Sequence, residues 1–293
     1  MAGTKTLAGV IALAIASGCA KGPRPIVVGS KNFTEQLILG EILAQQLERK
    51  LGARVERKLN LGGTLLAHQA LLAKDIDMYP EYTGTAFTNI LKRSGVTDPL
   101  VVLDRVRTEY ASGFQVTWLD PLGFENTFAM TVRGDDARKR HLETLTDAAN
   151  DSEGFTLGAG YEFSTRPDGY ATLNSAYPIH WNAPPKDMDL GLLYTALLQN
   201  KVSMIASSTT DGMLAKQDFK VLKDDKQAFP PYQACILVRA EALTANPNLK
   251  QALGELSGKV SNEKMQAMNF AVDVDHRQVA EVAKEFLQKS GLL

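Results

Sequence analysis

The alternation of short apolar runs with amphipathic helical stretches constrains the fold of this chain more than any other feature. Runs at 26–28, 54–59 and 76–79 have the length and composition of strands, and helical patterns lie between them. A strand, a helix and a further strand in this order form a parallel pair with a right-handed crossover. The pattern therefore predicts an α/β fold with a mainly parallel sheet.

A second α/β series follows, and two extended segments at 127–133 and 232–239 separate it from the first. The length of 293 residues, 44% of them apolar, also suits two lobes better than one. We expect lobe 1 at 26–128 and 233–293, lobe 2 at 129–232, and two crossover strands between them. The second series predicts strands at 156–159, 179–182, 203–206 and 220–222, and helices at 169–177, 187–201 and 210–216.

The first helix carries recognisable boundary signals. Asn32 is predicted as its N-cap, and Glu35 stands three residues later, as in a capping box. Gly52 is predicted as its stop, because glycine readily adopts the left-handed conformation that ends a helix.

The first twenty residues differ in kind from the rest. An apolar run at 7–16 follows a single lysine and ends in small residues. A membrane-spanning helix needs roughly 20 apolar residues, so this run is typical of an export signal at 1–20. We therefore expect an exported protein, at the periplasm or the outer face of the cytoplasmic membrane, with a tether at 21–25.

Cys19 follows small residues, as in the motif at which bacterial lipoproteins are lipidated. Ala16 stands where that motif prefers Leu or Val, and plain cleavage near Ala20 remains the alternative. The prediction is a lipid anchor on Cys19. The other cysteine, Cys235, lies in a predicted buried strand and is expected to act as a small hydrophobe.

Motifs of catalysis are missing from the sequence. It contains no nucleophile elbow, zinc-protease motif or phosphate-binding loop, and its 4 histidines are scattered. The 32 basic and 33 acidic residues balance, which does not favour a nucleic-acid partner. We expect no enzyme activity, no cofactor and no metal site.

A binding site has more support. Loops at the carboxyl ends of parallel strands are where α/β sheets bind ligands, and Lys31 follows the first strand. Tyr82 and Thr85 follow the third strand, and a tyrosine face attracts cations. Tyr79, inside that strand, is expected to pack in the core.

Seven sequence blocks resemble the glycine betaine/carnitine/choline binding proteins of osmoprotectant-type ABC importers. They occur in the family order and span nearly the whole chain after the export signal. The blocks are 29–36, 60–64, 77–85, 123–128, 166–169, 210–212 and 229–232.

The resemblance implies a type II periplasmic-binding-protein fold, in which a solute is captured between two lobes. It also implies delivery to a membrane permease that a separate ATPase drives, and we expect a monomer. Two alternatives stay open: the same fold binding a different cationic or zwitterionic solute, such as a histidine betaine, or a ligand sensor for a membrane signalling partner.

The family's site is a box of aromatic rings around a trimethylammonium group. By the resemblance, Tyr82 and Tyr232 match cage tyrosines, and Phe128 stands where the family usually has Tyr. Ser207 takes a position where many relatives place an aromatic ring, and Asn126 replaces an acidic residue. These changes make a betaine with a bulkier substituent a credible ligand.

The family also holds the ligand's other end with basic and polar groups. By the resemblance, Lys31, Thr85 and Arg166 match the group that meets a carboxylate. Arg166 offers the planar fork that suits a carboxylate.

Overall fold

The computed structural model describes residues 24–292. The predicted export signal, the predicted lipidation site Cys19 and residues 21–23 of the predicted tether lie outside this range. In the described part of the chain, no helix is long and apolar enough to cross a membrane.

Ten strands within residues 24–292 form two five-stranded sheets. In chain order the strands are β1 (Ile26–Gly29), β2 (Val55–Lys58), β3 (Met78–Tyr82), β4 (Val116–Trp118), β5 (Phe128–Arg133), β6 (Leu157–Ala159), β7 (Lys186–Asp187), β8 (Met204–Ser208), β9 (Phe219–Leu222) and β10 (Ala234–Arg239). The first sheet has the order β2-β1-β3-β10-β4 and the second the order β7-β6-β8-β5-β9.

Helices pack on both sheets, and we call each sheet with its helices a lobe. The helices are α1 (Thr34–Leu51), α2 (Thr64–Leu72), α3 (Thr83–Thr85), α4 (Pro99–Phe114), α5 (Gly134–Arg140), α6 (Leu145–Asn150), α7 (Tyr161–Thr165), α8 (Tyr170–Ala176), α9 (Leu193–Leu198), α10 (Ala240–Ala245), α11 (Leu249–Gly254), α12 (Asn262–Asp273) and α13 (Val279–Lys289). A π-helical turn, Ala86–Ile90, continues α3, and short 3-10 turns lie at Leu190–Leu192 and Gly212–Ala215.

Both sheets are mixed, for the same reason. β1 pairs in parallel with β2 and β3, as predicted, whereas β10 runs antiparallel to β3. The first residue of β10, Ala234, pairs with the last residue of β3, Tyr82. A strand that arrives from the other lobe enters at the carboxyl edge of the parallel strands and therefore runs against them. β5 enters the second sheet in the same way, with Phe128 opposite Ser208 of β8.

The two crossover segments lie side by side between the lobes. Glu125 and Gln233 form an isolated antiparallel bridge, and the Asn126 backbone N–H donates to the carbonyl of Tyr232 at 3.1 Å. The extended segments predicted at 127–133 and 232–239 correspond to β5 and β10, which follow this bridge.

Helix α1 shows which boundary signals were reliable. It ends before Gly52, which adopts φ 58° as predicted for its stop. The predicted N-cap at Asn32 is wrong, since the helix begins after Phe33 and no side chain caps it. Glu35 does not complete a capping box, because its carboxylate turns away from the helix start and accepts hydrogen bonds from Tyr82 and, in the other lobe, Thr210.

Three predicted elements of the second lobe are wrong in extent. No strand forms at 179–182, where prolines flank the segment and only Trp181 makes a bridge, to Phe155. The two-residue β7 pairs with β6 instead. The helix predicted at 187–201 is reduced to a 3-10 turn and α9, interrupted near Gly191, a poor helix former. The helix predicted at 210–216 is one short 3-10 turn.

Close contact between the lobes requires a glycine at 212. A Cβ atom there would lie 2.4 Å from the backbone of Phe270 in α12. Real Cβ atoms do not approach backbone so closely, so the second lobe could not remain seated on α12.

We therefore expect Gly212→Ala to shift the protein towards a more open arrangement, seen as an increased radius of gyration in small-angle X-ray scattering. Gly191→Ala is the control, because a Cβ at Gly191 meets nothing within 4 Å. Equal radii of gyration for both variants and the unmodified protein would contradict the requirement.

Candidate functional site

The carboxylate of Glu35 lies at the junction of the lobes and is 2% exposed. Its Oε1 accepts from the Tyr82 hydroxyl at 2.5 Å and from Asn126 Nδ2 at 2.7 Å. Its Oε2 accepts from the Thr210 hydroxyl at 2.6 Å and from Asn269 Nδ2 at 3.3 Å. One side chain of α1 thus joins β3, a crossover segment, the second lobe and α12.

Burial and hydrogen bonding act on Glu35 in opposite directions. Burial raises the pKa of Glu35 above its usual value, and the hydrogen bonds, led by that of Thr210, act to lower it. A carboxylate in this position needs all its donors, because each lost donor leaves buried charge uncompensated.

Two side chains of the loop that follows β1 lie near the Tyr82 ring. The Lys31 ammonium lies 4.8 Å from the ring centroid, and the Phe33 ring stacks at 6.4 Å. Gln36 Nε2 donates to the Tyr82 hydroxyl at 3.0 Å. The predicted cage residue is therefore held in one orientation, with a cation already near its ring.

Lys31 is buried and paired rather than free. Its Nζ lies 2.5 Å from Glu81 Oε1 and 3.3 Å from the Thr64 hydroxyl. Glu81 also accepts from the Tyr79 hydroxyl at 3.2 Å, and Tyr79 packs in the core as expected. A ligand carboxylate that approaches Lys31 would share it with Glu81.

A second group of rings surrounds Phe128 at the start of β5. Its centroid lies 5.6 Å from that of Tyr232, 4.9 Å from Phe163 and 5.5 Å from Phe229, all edge to face. Such pairs contribute about 0.5–1.5 kcal/mol each beyond area burial. Tyr232 also needs Gly84, where a Cβ would lie 2.9 Å from the tyrosine ring.

Arg166 completes this group with a charge. Its guanidinium lies 5.0 Å from the Phe128 centroid and forms a two-pronged ion pair with Asp168, at 2.9 Å and 2.6 Å. Asp168 also accepts from the Tyr232 hydroxyl at 2.7 Å and from Asn89 at 3.1 Å. Burial would raise the pKa of Asp168, but Arg166 outweighs it and holds that pKa below its usual value.

Direct hydrogen bonds link the lobes at the rim of the site. Arg166 Nη2 donates to the Thr85 hydroxyl at 3.2 Å, across the interface. The Thr64 backbone N–H, at the start of α2, donates to Glu162 Oε1 at 2.7 Å. These contacts place the two lobes against each other in the described structure.

Ser207 lies away from these rings. Side chains alternate along a strand, and Ser207 of β8 faces Thr131, whose hydroxyl lies 2.8 Å from its own. It also donates to the Ala129 carbonyl at 2.8 Å. The neighbouring Ser208 points to the site instead, where its hydroxyl contacts Asn126. Of the two serines, Ser208 is therefore the one that contacts a predicted binding residue.

The structure brings seven of the eight predicted binding residues into one connected group. The contacts above link them directly or through Glu35: Lys31, Tyr82, Thr85, Asn126, Phe128, Arg166 and Tyr232. Sequence reasoning missed Glu35, Glu81 and Asp168, although each lies within a sequence block that carried the resemblance. The sequence signal that could have identified them is an acidic residue within a few positions of a predicted aromatic or basic site residue.

Further acidic residues surround the lobe junction. Asp211, which follows Thr210, accepts from the Tyr194 hydroxyl at 2.9 Å and from the Ser208 backbone N–H at 3.1 Å. Burial and then the charges of Glu35 and Asp273 raise the pKa of Asp211 to about 7, against these two hydrogen bonds. Asp273 itself accepts from the Thr34 hydroxyl at 2.5 Å.

The raised pKa makes stability depend on pH. Between its usual pKa of 3.8 and about 7, Asp211 keeps in the folded protein a proton that the unfolded chain has released. The free energy of unfolding therefore falls as the pH rises through this window. We expect Asp211→Asn to raise the melting temperature by several degrees at pH 8 and by much less at pH 4.

Asp189→Asn is the matched control, because Asp189 is exposed. Melting curves between pH 4 and pH 8 measure both variants. A gain for Asp211→Asn that is the same at the two ends would show that Asp211 does not titrate in this window.

Three comparisons with known proteins bear on this site. Residues 24–289 match the model of a family described as the substrate-binding domain of ABC-type glycine betaine transport systems. A carnitine transport binding protein of Listeria monocytogenes is 37% identical over 268 residues, which cover 91% of this chain and 87% of that protein. An ergothioneine transport permease/ergothioneine binding protein of Helicobacter pylori is 38% identical over 273 residues, or 92% of this chain. The chain spans 48% of that relative's length.

A solved structure supports the fold. The crystal structure of a glycine betaine/carnitine/choline ABC transporter protein superposes with a TM-score of 0.76 and 33% identity, covering 91% of this chain and 99% of that one. The predicted fold class, two α/β lobes of the type II periplasmic-binding-protein kind, is confirmed.

Proposed function

Because the chain belongs to the family of substrate-binding domains of ABC-type glycine betaine transport systems, we propose that it captures a quaternary amine between its lobes. The relatives are transport binding proteins, and none is named as an enzyme. In this proposal the liganded protein delivers its solute to a membrane permease, whose transport an ATPase drives.

The observation that carries the proposal is that aromatic residues from both sheets and a crossover belong to one connected group at the lobe junction. Tyr82 belongs to the first sheet, Phe128 starts the second, and Tyr232 lies between them. A trimethylammonium group cannot donate hydrogen bonds, so it is recognised by ring faces, at about 0.5–2 kcal/mol for each ring. Opening and closing of the lobes would separate and reassemble this set.

The two basic residues support recognition of a ligand carboxylate. Lys31 and Arg166 stand beside Tyr82 and Phe128, and each is paired with a carboxylate of the chain, Glu81 and Asp168. Thr85 lies within hydrogen-bonding distance of Arg166. A betaine or carnitine carboxylate would join these pairs when the lobes open.

The Helicobacter relative favours a second candidate within the same class. It is named an ergothioneine binding protein, and ergothioneine is a thiolated histidine betaine. Ser208 presents a small polar side chain beside Asn126, so this part of the site carries no ring. A betaine with a large polar substituent is therefore the alternative ligand.

Export, a lipid anchor on Cys19 and a monomeric state remain part of the proposal. Support for export comes from the apolar run at 7–16 and for the anchor from the small residues before Cys19. The lobe boundaries at 128–129 and 232–233 are likewise proposed, next to the bridge between Glu125 and Gln233.

A thermal-shift panel tests the ligand class. Glycine betaine, carnitine, choline and ergothioneine are compared with neutral amino acids and sugars. A ligand at about a thousand times its dissociation constant adds roughly 4 kcal/mol to the free energy of unfolding, which raises the melting temperature by several degrees. We expect such a shift with at least one quaternary amine and with no sugar or neutral amino acid. Shifts with sugars or neutral amino acids alone would overturn the proposal.

Replacement of Tyr82 tests the cage. Tyr82→Leu keeps apolar volume but removes the ring face and the hydroxyl that donates to Glu35. We expect at least a tenfold loss of affinity for the quaternary amine in titration calorimetry, because a buried cation–ring contact is worth about 2 kcal/mol. Tyr161→Leu, at a tyrosine that is 64% exposed, is the control and should bind normally. Unchanged affinity in Tyr82→Leu would remove Tyr82 from the cage.

A further inference from the structure

Within residues 24–292, Glu35 is a buried carboxyl group that forms no ion pair with a basic side chain. The other buried carboxylates of the site are paired, Glu81 with Lys31 and Asp168 with Arg166. Glu35 forms no ion pair, and its four partners are neutral: Tyr82, Asn126, Thr210 and Asn269.

The hydrogen-bond geometry suits Glu35 as an ionised carboxylate, which is the form that this inference assigns to it at pH 8. The amide nitrogens of Asn126 and Asn269 can only donate. The Tyr82 hydroxyl already accepts from Gln36, so its own proton points at Glu35. A carboxylate accepts all of these bonds. A proton on Oε1 would oppose the donors from Tyr82 and Asn126, and a proton on Oε2 would need the Thr210 hydroxyl as its acceptor.

Contact between the lobes is what buries this charge. Tyr82 and Asn269 belong to the first lobe and Asn126 to a crossover, whereas Thr210 belongs to the second lobe. The Thr210 hydroxyl donates to Glu35 at a position where a solvent-exposed carboxylate would be hydrated. Removing an unpaired carboxylate from water is costly, and hydrogen bonds from neutral groups offset that cost only in part.

A cation on the proposed cage would supply the missing charge. Tyr82 and Asn126, both predicted to bind the ligand, contact Glu35 directly. A cation against the Tyr82 ring is therefore close to the carboxylate, which binds the hydroxyl of the same ring. The surroundings have a low dielectric constant, in which charges interact strongly. Lys31 already lies over this ring, but Glu81 neutralises it.

We propose that Glu35 is the residue that makes tight binding depend on the ligand's positive charge rather than on its shape alone. This inference rests on the proposed function and adds the group that discriminates within it. A neutral solute of the same shape fills the rings but leaves Glu35 buried and unpaired, so the closed state does not hold it.

Isosteric ligand pairs separate charge from shape. In tert-butylacetate and tert-butylethanol a carbon atom replaces the nitrogen of glycine betaine and of choline, with almost no change of volume. The matching carbon analogue serves for carnitine. Titration calorimetry at pH 8 gives, for the tightest-binding quaternary amine and its analogue, the ratio of their affinities.

The variant is Glu35→Gln, which keeps the shape and removes the charge. Thr210 can accept from the new amide, so the hydrogen bond at 3.3 Å from Asn269 is the one lost. We expect the preference for the charged ligand to fall about tenfold or more, since charge pairs at interfaces couple by at least this much. Glu35→Asp keeps the charge and should keep more of the preference.

Glu281→Gln is the control, because it removes the same charge from an exposed position of α13. An affinity ratio in Glu35→Gln equal to that of the control overturns the inference while the proposed function stands. The affinity ratio of the unmodified protein also tests the inference. Equal affinity for a quaternary amine and its carbon analogue would contradict the inference without any variant. If the protein binds no quaternary amine, the proposed function fails and the inference with it.

Discussion

The hydrogen bonds of Glu35 join four parts of the chain: strand β3, a crossover segment, the second lobe and helix α12. Each bond to a charged group contributes about 1.5–3 kcal/mol, whereas burying the charge costs several kcal/mol. The hydrogen bonds offset most of this cost only while the donors from both lobes are in place. The orientation of Tyr82 and the seating of the second lobe at Thr210 are therefore coupled through one carboxylate.

The two ion pairs of the site share one arrangement. Lys31 and Arg166 each pair with an acidic side chain and each lie over an aromatic ring, of Tyr82 and of Phe128. Rings, cations and carboxylates thus fix one another's positions before any ligand is present. Preorganisation of this kind lowers the entropy lost on binding, because the side chains are already ordered.

Local sequence patterns predicted the parts of the fold that local forces decide. Apolar runs predicted the first strands, and glycine predicted the end of helix α1 at Gly52. Side-chain periodicity predicted the burial of Tyr79. Prediction was wrong at 179–182, where the segment meets its neighbour in a single bridge, between Trp181 and Phe155, and so forms no strand. The direction of β10 and β5 also depended on their route between the lobes, which periodicity does not contain.

The sequence by itself determined the α/β class, the approximate place of the crossovers and the residue types at the carboxyl ends of the strands. Tertiary structure alone decided that Ser208 rather than Ser207 faces the site, because one step along a strand reverses the side chain. It also decided that the Glu35 carboxylate joins the two lobes and does not take part in capping helix α1. Glu35 and Thr210 are 175 positions apart, and only the packing of two lobes brings such distant groups within a hydrogen bond.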